Sequence, residues 1–182
     1  MADQALRKAP LVGRHGGSAG ARVTPAGPAT RLSLRAGTDA IGTLSLAFGL
    51  ELPQRPKTSA SVSGRHALWL GPDEWLLIDE NGADLMAIAA GVSALHSATD
   101  VSHRNTAILV SGPDAAGAIA SSCPLDLGKT IFPVGAAART VLGKIEIVLL
   151  RTGEEEYRVE CWRSFSPYAF GILAEGAEDA GL

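Results

Sequence analysis

Two observations predict an α+β fold of duplicated β-α-β-β-α units. Short runs alternate apolar and polar residues, as strands with one buried face do, while other stretches space their apolar residues three or four apart, as helices do. The second observation is a repeat. Gly37 and Gly112 stand 75 positions apart, and the same spacing pairs Asp39 with Asp114, Gly42 with Gly117, Leu44 with Ile119, Leu50 with Leu125, Glu51 with Asp126 and Leu52 with Leu127. Two half-units, each with one apolar sheet face, must cover each other or share a sheet.

Residues 1–28 are rich in Gly, Ala, Pro and Arg and contain no Ile, Phe, Trp or Tyr. With little to bury, they read as a flexible N-terminal arm. Residues 29–182 then form a single α+β domain of two pseudo-repeats, about 29–98 and 99–182. Arg31–Arg35 alternates as a strand, and Thr38 or Asp39 is placed to cap a helix over about 39–49 with Ile41, Leu44, Leu46 and Phe48 as its stripe. Pro53 and Pro56 close this segment. Ala67–Leu70 and Glu74–Ile78 flank Gly71-Pro72-Asp73, which is hairpin chemistry. A helix is expected over 83–96, burying Leu85, Ile88, Ala89, Val92 and Leu95.

The second unit begins with a strand at Ala107–Val110, a turn at Gly112-Pro113-Asp114 and a helix that stops at Pro124. Strands follow at about 138–142, 144–151 and 156–162. The last helix begins within Ser164–Pro167 and runs to about Ala177, with Ser164 as its cap and Pro167 in its first turn.

Composition narrows the function. The chain has 182 residues, 46% apolar and 19% charged, enough to build a core without a metal or disulfide staple. A net charge of −3 argues against nucleic-acid binding. No apolar run approaches the roughly 20 residues of a membrane span. The N-terminus lacks the apolar core of a secretory signal, so the expected location is cytoplasmic. Cys123 and Cys161 lack any CxxC spacing, and His15, His66, His96 and His103 lack ligand spacing, so no metal site is expected.

Several motifs invite a chemical reading. Gly13–Gly20 is glycine-rich but has no strand before it, no helix after it and no Gly-Lys-Ser/Thr ending, so it is not a phosphate loop. Asp100-Val101-Ser102-His103-Arg104-Asn105 is the densest polar cluster. It is either a ligand or partner site at a strand edge or a turn held by Asp and Ser side chains bonding to backbone. Glu154-Glu155-Glu156 reads as a solvated hairpin tip. Cys161–Tyr168 gathers Trp162, Arg163, Phe165 and Tyr168 at a strand-to-helix junction, the residue types of interface hot spots and equally of cores. Trp69 and Trp75 allow the same two readings. No nucleophile with an oriented base and no strand–GxGxxG–helix flavin unit is present, so no catalytic and no cofactor-binding residue is assigned.

The strings Leu70–Leu77, Asp100–Arg104, Cys123–Leu127, Phe132–Gly135, Arg139–Lys144 and Trp162–Phe165, in this order, resemble the gamma-subunit family of heterotetrameric sarcosine oxidases. The likeness runs from about Leu44 to Leu173. Asp100–Arg104 followed by Val110–Ala115 is also similar to the opening of the folate-binding domain of the glycine-cleavage T protein, which is built of duplicated units. The resemblance implies a non-catalytic subunit of a flavin-dependent complex that demethylates sarcosine to glycine and passes the one-carbon unit to tetrahydrofolate. It implies alpha, beta and delta partner subunits that hold FAD, FMN, NAD and tetrahydrofolate, with none of these on this chain. His103, Arg104, Arg139, Trp162, Arg163, Phe165 and Tyr168 are then the partner-interface candidates. Two other readings stay open: an independent folate-binding aminomethyl- or methyl-transfer protein, and a self-associating small-molecule sensor domain with a pocket between its halves.

Overall fold

Hydrophobic alternation along the strands builds four layers, helices outside and two sheets inside. The structure is a computed structural model, and it describes residues 10–181. In order, the elements are β1 (Gly16–Gly17), β2 (Arg22–Pro25), β3 (Thr30–Ala36), α1 (Ile41–Phe48), β4 (Ser59–Val62), β5 (Arg65–Gly71), β6 (Glu74–Asp79), α2 (Leu85–Ala90), β7 (His96–Asp100), β8 (Asn105–Ser111), α3 (Ala115–Ala120), β9 (Ala137–Leu142), β10 (Ile145–Gly153), β11 (Glu156–Trp162), a 3-10 turn (Arg163–Phe165) and α4 (Ser166–Asp179). One sheet has strand order β4-β5-β6-β3-β7 and the other β1-β2-β8-β11-β10-β9, all pairs antiparallel.

Successive residues of a strand face opposite ways, so each sheet has two faces to fill. Leu32, Leu34, Trp75 and Leu77 pack with Leu44, Phe48 and Leu85 of α1 and α2. Ile108, Val110, Ile147, Leu149, Tyr157 and Val159 pack with Ile119, Phe170 and Leu173 of α3 and α4. The residues between them in sequence meet across the two sheets: Leu68, Leu76 and Ile78 against Ala137, Val148 and Leu150. The Trp75 indole N–H, fully buried, donates to the Pro53 carbonyl at 2.7 Å.

The two units are internally alike. The sheets share the core order β4-β5-β6-β3 and β9-β10-β11-β8. Both hairpins slip register at the same place, between Trp69 and Gly71 and between Arg151 and Gly153. The fifth strand of each sheet is exchanged. β7, which leads into the second unit, pairs with β3 of the first, and β2, which leads into the first, pairs with β8 of the second. Residues 22–25 stand the same 75 positions before 97–100 that Gly37 stands before Gly112, so the repeat begins earlier than the sequence reading placed it.

This corrects the expected flexible arm over residues 1–28. Residues 1–9 lie outside the described residues, but Ala21 and Val23 are fully buried, and Val23 sits opposite Val110 in the sheet. Gly112, at φ 125°, lets the chain pass so closely that a Cβ there would meet the Gly20 carbonyl at 2.3 Å. Asp114 N–H donates to that same carbonyl at 2.9 Å. Backbone pairing, more than apolar side chains, orders the segment.

Three smaller expectations also change. The helix expected over 83–96 ends at Ala90, and His96–Asp100 is a strand, because β3 offers a free edge that the helix would leave unpaired. Leu95 is accordingly 90% exposed, and Leu46 of α1 is 85% exposed rather than part of a buried stripe. Neither Thr38 nor Asp39 caps α1, whose N-cap is Ala40, and Ser164 lies in the 3-10 turn instead of capping α4. Among the described residues no helix is long and apolar enough to cross a membrane.

Both cysteines are free and buried, and burial pushes the Cys161 thiol up to about 12. The native chain is therefore expected to show no thiol reactive with Ellman's reagent at pH 8, and two after denaturation. A fast-reacting native thiol would contradict this burial.

Candidate functional site

The polar cluster at 100–105 is the turn from β7 into β8. Asp100 Oδ1 accepts the Ser102 N–H at 2.7 Å, and the Ser102 hydroxyl accepts the Arg31 N–H at 2.8 Å. Hydrogen bonds from the Ser102 side chain and backbone hold the Asp100 carboxyl below its ordinary value. Val101 anchors the turn, its N–H donating to the Arg31 carbonyl at 2.9 Å. The turn held by Asp and Ser side chains is thus what the structure contains, and it presents Arg104 outward.

Asn105 lies opposite Trp162 in the β8–β11 ladder, so the turn meets the strand-to-helix junction. Arg163 N–H donates to the Arg104 carbonyl at 2.7 Å, and Ser166 Oγ donates to the Arg163 carbonyl at 2.8 Å. Trp162, the last residue of β11, stacks on Phe165 at the end of the 3-10 turn, with centroids 5.6 Å apart and planes at 12°. The Arg104 guanidinium lies over the Trp162 ring, 4.1 Å from its centroid. Trp162 and Phe165 are 38% and 39% exposed. Arg104, Trp162 and Phe165 therefore form one outward-facing column.

The remaining candidates fall elsewhere. His103 and Arg163 line a neighbouring cleft of about 540 Å³ with Arg31, Glu80, Asn81 and Asn105. Tyr168 turns toward the β9–β10 connection, where its hydroxyl accepts the Lys144 N–H at 3.3 Å. Arg139, two strands from β11, is bound to Glu74 across the two sheets, and hydrogen bonding to Glu74 holds its guanidinium above its ordinary value.

Sequence reasoning missed the ionic cluster beneath the cleft. Arg31 grips Glu160 through Nε at 2.6 Å and Nη2 at 3.2 Å, and Arg158 Nε donates to Glu160 at 2.8 Å. Arg158 also pairs with Glu80, at the cleft wall. Arg31, Arg158 and Glu160 are each at most 4% exposed, between the sheets. Arg158 Nη2 and Asn105 Oδ1 are buried with no hydrogen-bond partner. His66 faces Glu80 at 4.0 Å, and burial holds its imidazole below the ordinary value, against the pull of Glu80. The advance signal was weak: Arg31 shares its strand parity with the exposed Arg35, and Arg158 and Glu160 share theirs with the exposed Glu156. Among the described residues no group of three or more His, Cys, Asp or Glu is arranged to hold a metal ion.

Comparison with known proteins decides the family. The model of the sarcosine oxidase, gamma subunit family matches residues 36–179. The sarcosine oxidase subunit gamma of Corynebacterium sp. (strain P-1) is 35% identical over 156 residues, spanning 83% of this chain and 77% of that one. The chain belongs to the sarcosine oxidase gamma subunit family. The gamma subunit of Corynebacterium sp. (strain U-96) is also 35% identical, over 82% of this chain and 76% of its own. Among solved structures, the heterotetrameric sarcosine oxidase from Corynebacterium sp. U-96, in complex with pyrrole 2-carboxylate, superposes with a TM-score of 0.83 at 32% identity, over 89% of this chain and 86% of that chain. The aminomethyltransferase T of the glycine cleavage system from Bartonella henselae shares the fold of this gamma-family chain, with a TM-score of 0.65 at 14% identity. That match covers 85% of this chain and 45% of the transferase chain.

Proposed function

We propose that this chain is a non-catalytic structural subunit of a heterotetrameric sarcosine oxidase. The complex would oxidatively demethylate sarcosine to glycine and pass the one-carbon unit to tetrahydrofolate. FAD, FMN, NAD and tetrahydrofolate would sit on its alpha, beta and delta partners. The observation that carries the reading is the exposed Arg104–Trp162–Phe165 column, on a chain whose family is named for a subunit. Arginine and tryptophan dominate the energy of protein interfaces, and both are held rigid here before any partner arrives. His103, Arg163 and Tyr168 would extend this surface, while Arg139 would contribute chiefly by tying the sheets together.

The site chemistry supports placing the cofactors elsewhere. The cleft beside the column has no Phe, Tyr or Trp in its lining, so His103 is the one aromatic ring there on which a pterin could stack. Of its charged lining residues, Arg31 is paired with Glu160 and Glu80 with Arg158. The test is affinity capture of the tagged chain from its native cell. Three companion subunits are expected, co-eluting with sarcosine-dependent peroxide production. Recovery of the chain alone, with the activity elsewhere, overturns the proposal.

A further inference from the structure

We infer that Arg104 is a carboxylate receptor for an acidic segment of a larger partner subunit, with Trp162 and Phe165 as its rigid backing. The inference rests on the subunit reading above and adds the chemistry of the contact. Arg35, Arg65 and Arg139 each find a carboxylate within the chain. Arg104 has no ion pair and no side-chain hydrogen bond among the described residues; its guanidinium contacts the Trp162 ring instead. The acid closest in sequence, Asp100, is taken up by Ser102.

The Trp162 ring backs the guanidinium, and exposure of Arg104 leaves its N–H edge to solvent. That edge matches a carboxylate with two parallel hydrogen bonds, a geometry lysine cannot reproduce. The base of the column is also fixed, because the Arg104 carbonyl accepts the Arg163 N–H and the Trp162 backbone belongs to the β8–β11 ladder. Little side-chain entropy remains to be lost on binding. The shape favours a protein partner over a small anion. None of Arg104, Trp162 and Phe165 lines the cleft next to them, and a small ligand needs walls on several sides.

The test uses the oxidase complex reassembled from all of its subunits, with this chain as wild type, Arg104→Glu, Arg104→Lys or Phe165→Ala. Thermal melts first establish that the variants fold, which exposure of these side chains favours. Arg104→Glu is expected to weaken association about 30-fold or more, and Arg104→Lys about 10-fold, because lysine keeps the charge and loses the fork. Raising salt should narrow the gap between wild type and Arg104→Glu. Wild type and Arg104→Glu that join the larger subunits equally well overturn the docking inference and leave the subunit reading intact. Wild type that does not join them at all overturns both. A wild-type dimer that Arg104→Glu converts to monomer overturns the inference in favour of a second copy as occupant.

Discussion

Glu160→Ala is expected to lower stability by about 3–5 kcal/mol, because it leaves two buried guanidinium groups without their shared counter-charge. For a chain of this length that corresponds to a fall in Tm of roughly 6–20 °C, read by calorimetry or circular dichroism. The cause is desolvation. Glu160 accepts from both Arg31 and Arg158 between the sheets; without it Arg158 keeps Glu80, but Arg31 loses its carboxylate partner. The matching triple variant Arg31→Met, Arg158→Met, Glu160→Leu removes all three charges and should recover most of the loss, since apolar residues of similar volume pack without that penalty. A Glu160→Ala chain as stable as wild type would show that the sheets do not close over this cluster.

Val23→Asp is the second large effect. Val23 is fully buried on β2 and faces Val110 of the neighbouring strand, so the variant places an unpaired carboxylate in the helix-side core of the second sheet. The expected cost is about 4 kcal/mol or more, with a corresponding shift of the urea midpoint. Val12→Asp, ten or so residues earlier and 73% exposed, is the control and should change stability by less than about 0.5 kcal/mol. Equal and small effects at the two positions would mean that residues 10–28 behave as a loose arm after all.

That contrast also shows which parts of the fold sequence could reveal. Strand β3 was legible from its alternation and β5, β6, β8 and β10 from short runs of apolar residues, with Gly and Pro in the turns that bound them. β2 was not legible: Arg22–Pro25 has a single large apolar residue and lies among glycines and prolines, and its order comes from backbone bonds to a strand about 85 residues later. The repeat held the missing clue, since the 75-residue spacing carried back from β7 lands on β2. α2 was drawn too long because Val92 and Leu95 continue its helical spacing, and spacing cannot show that β3 has a free edge for His96–Asp100.

The candidate site was legible in its parts. Trp162 and Phe165 sit three apart at a visible junction, and the cluster at 100–105 stands out in composition. Their meeting was hidden, because Arg104 reaches Trp162 only through the register that sets Asn105 opposite it. The tie of Arg139 was hidden for the same reason: sequence alone gives no sign that it pairs with Glu74, 65 residues earlier. The ionic cluster was hidden because an inward-facing charge and an outward-facing one look identical in one dimension.

The central claim is that this chain lends a docking surface to an oxidase and performs none of its chemistry. The most direct measurement is sarcosine-dependent hydrogen peroxide formation by the purified chain, by the larger subunits, and by the two together, with visible absorbance recorded on each. The account predicts a colourless, inactive chain and activity that tracks the assembled complex. Flavin absorbance or peroxide formation by the chain on its own would contradict it.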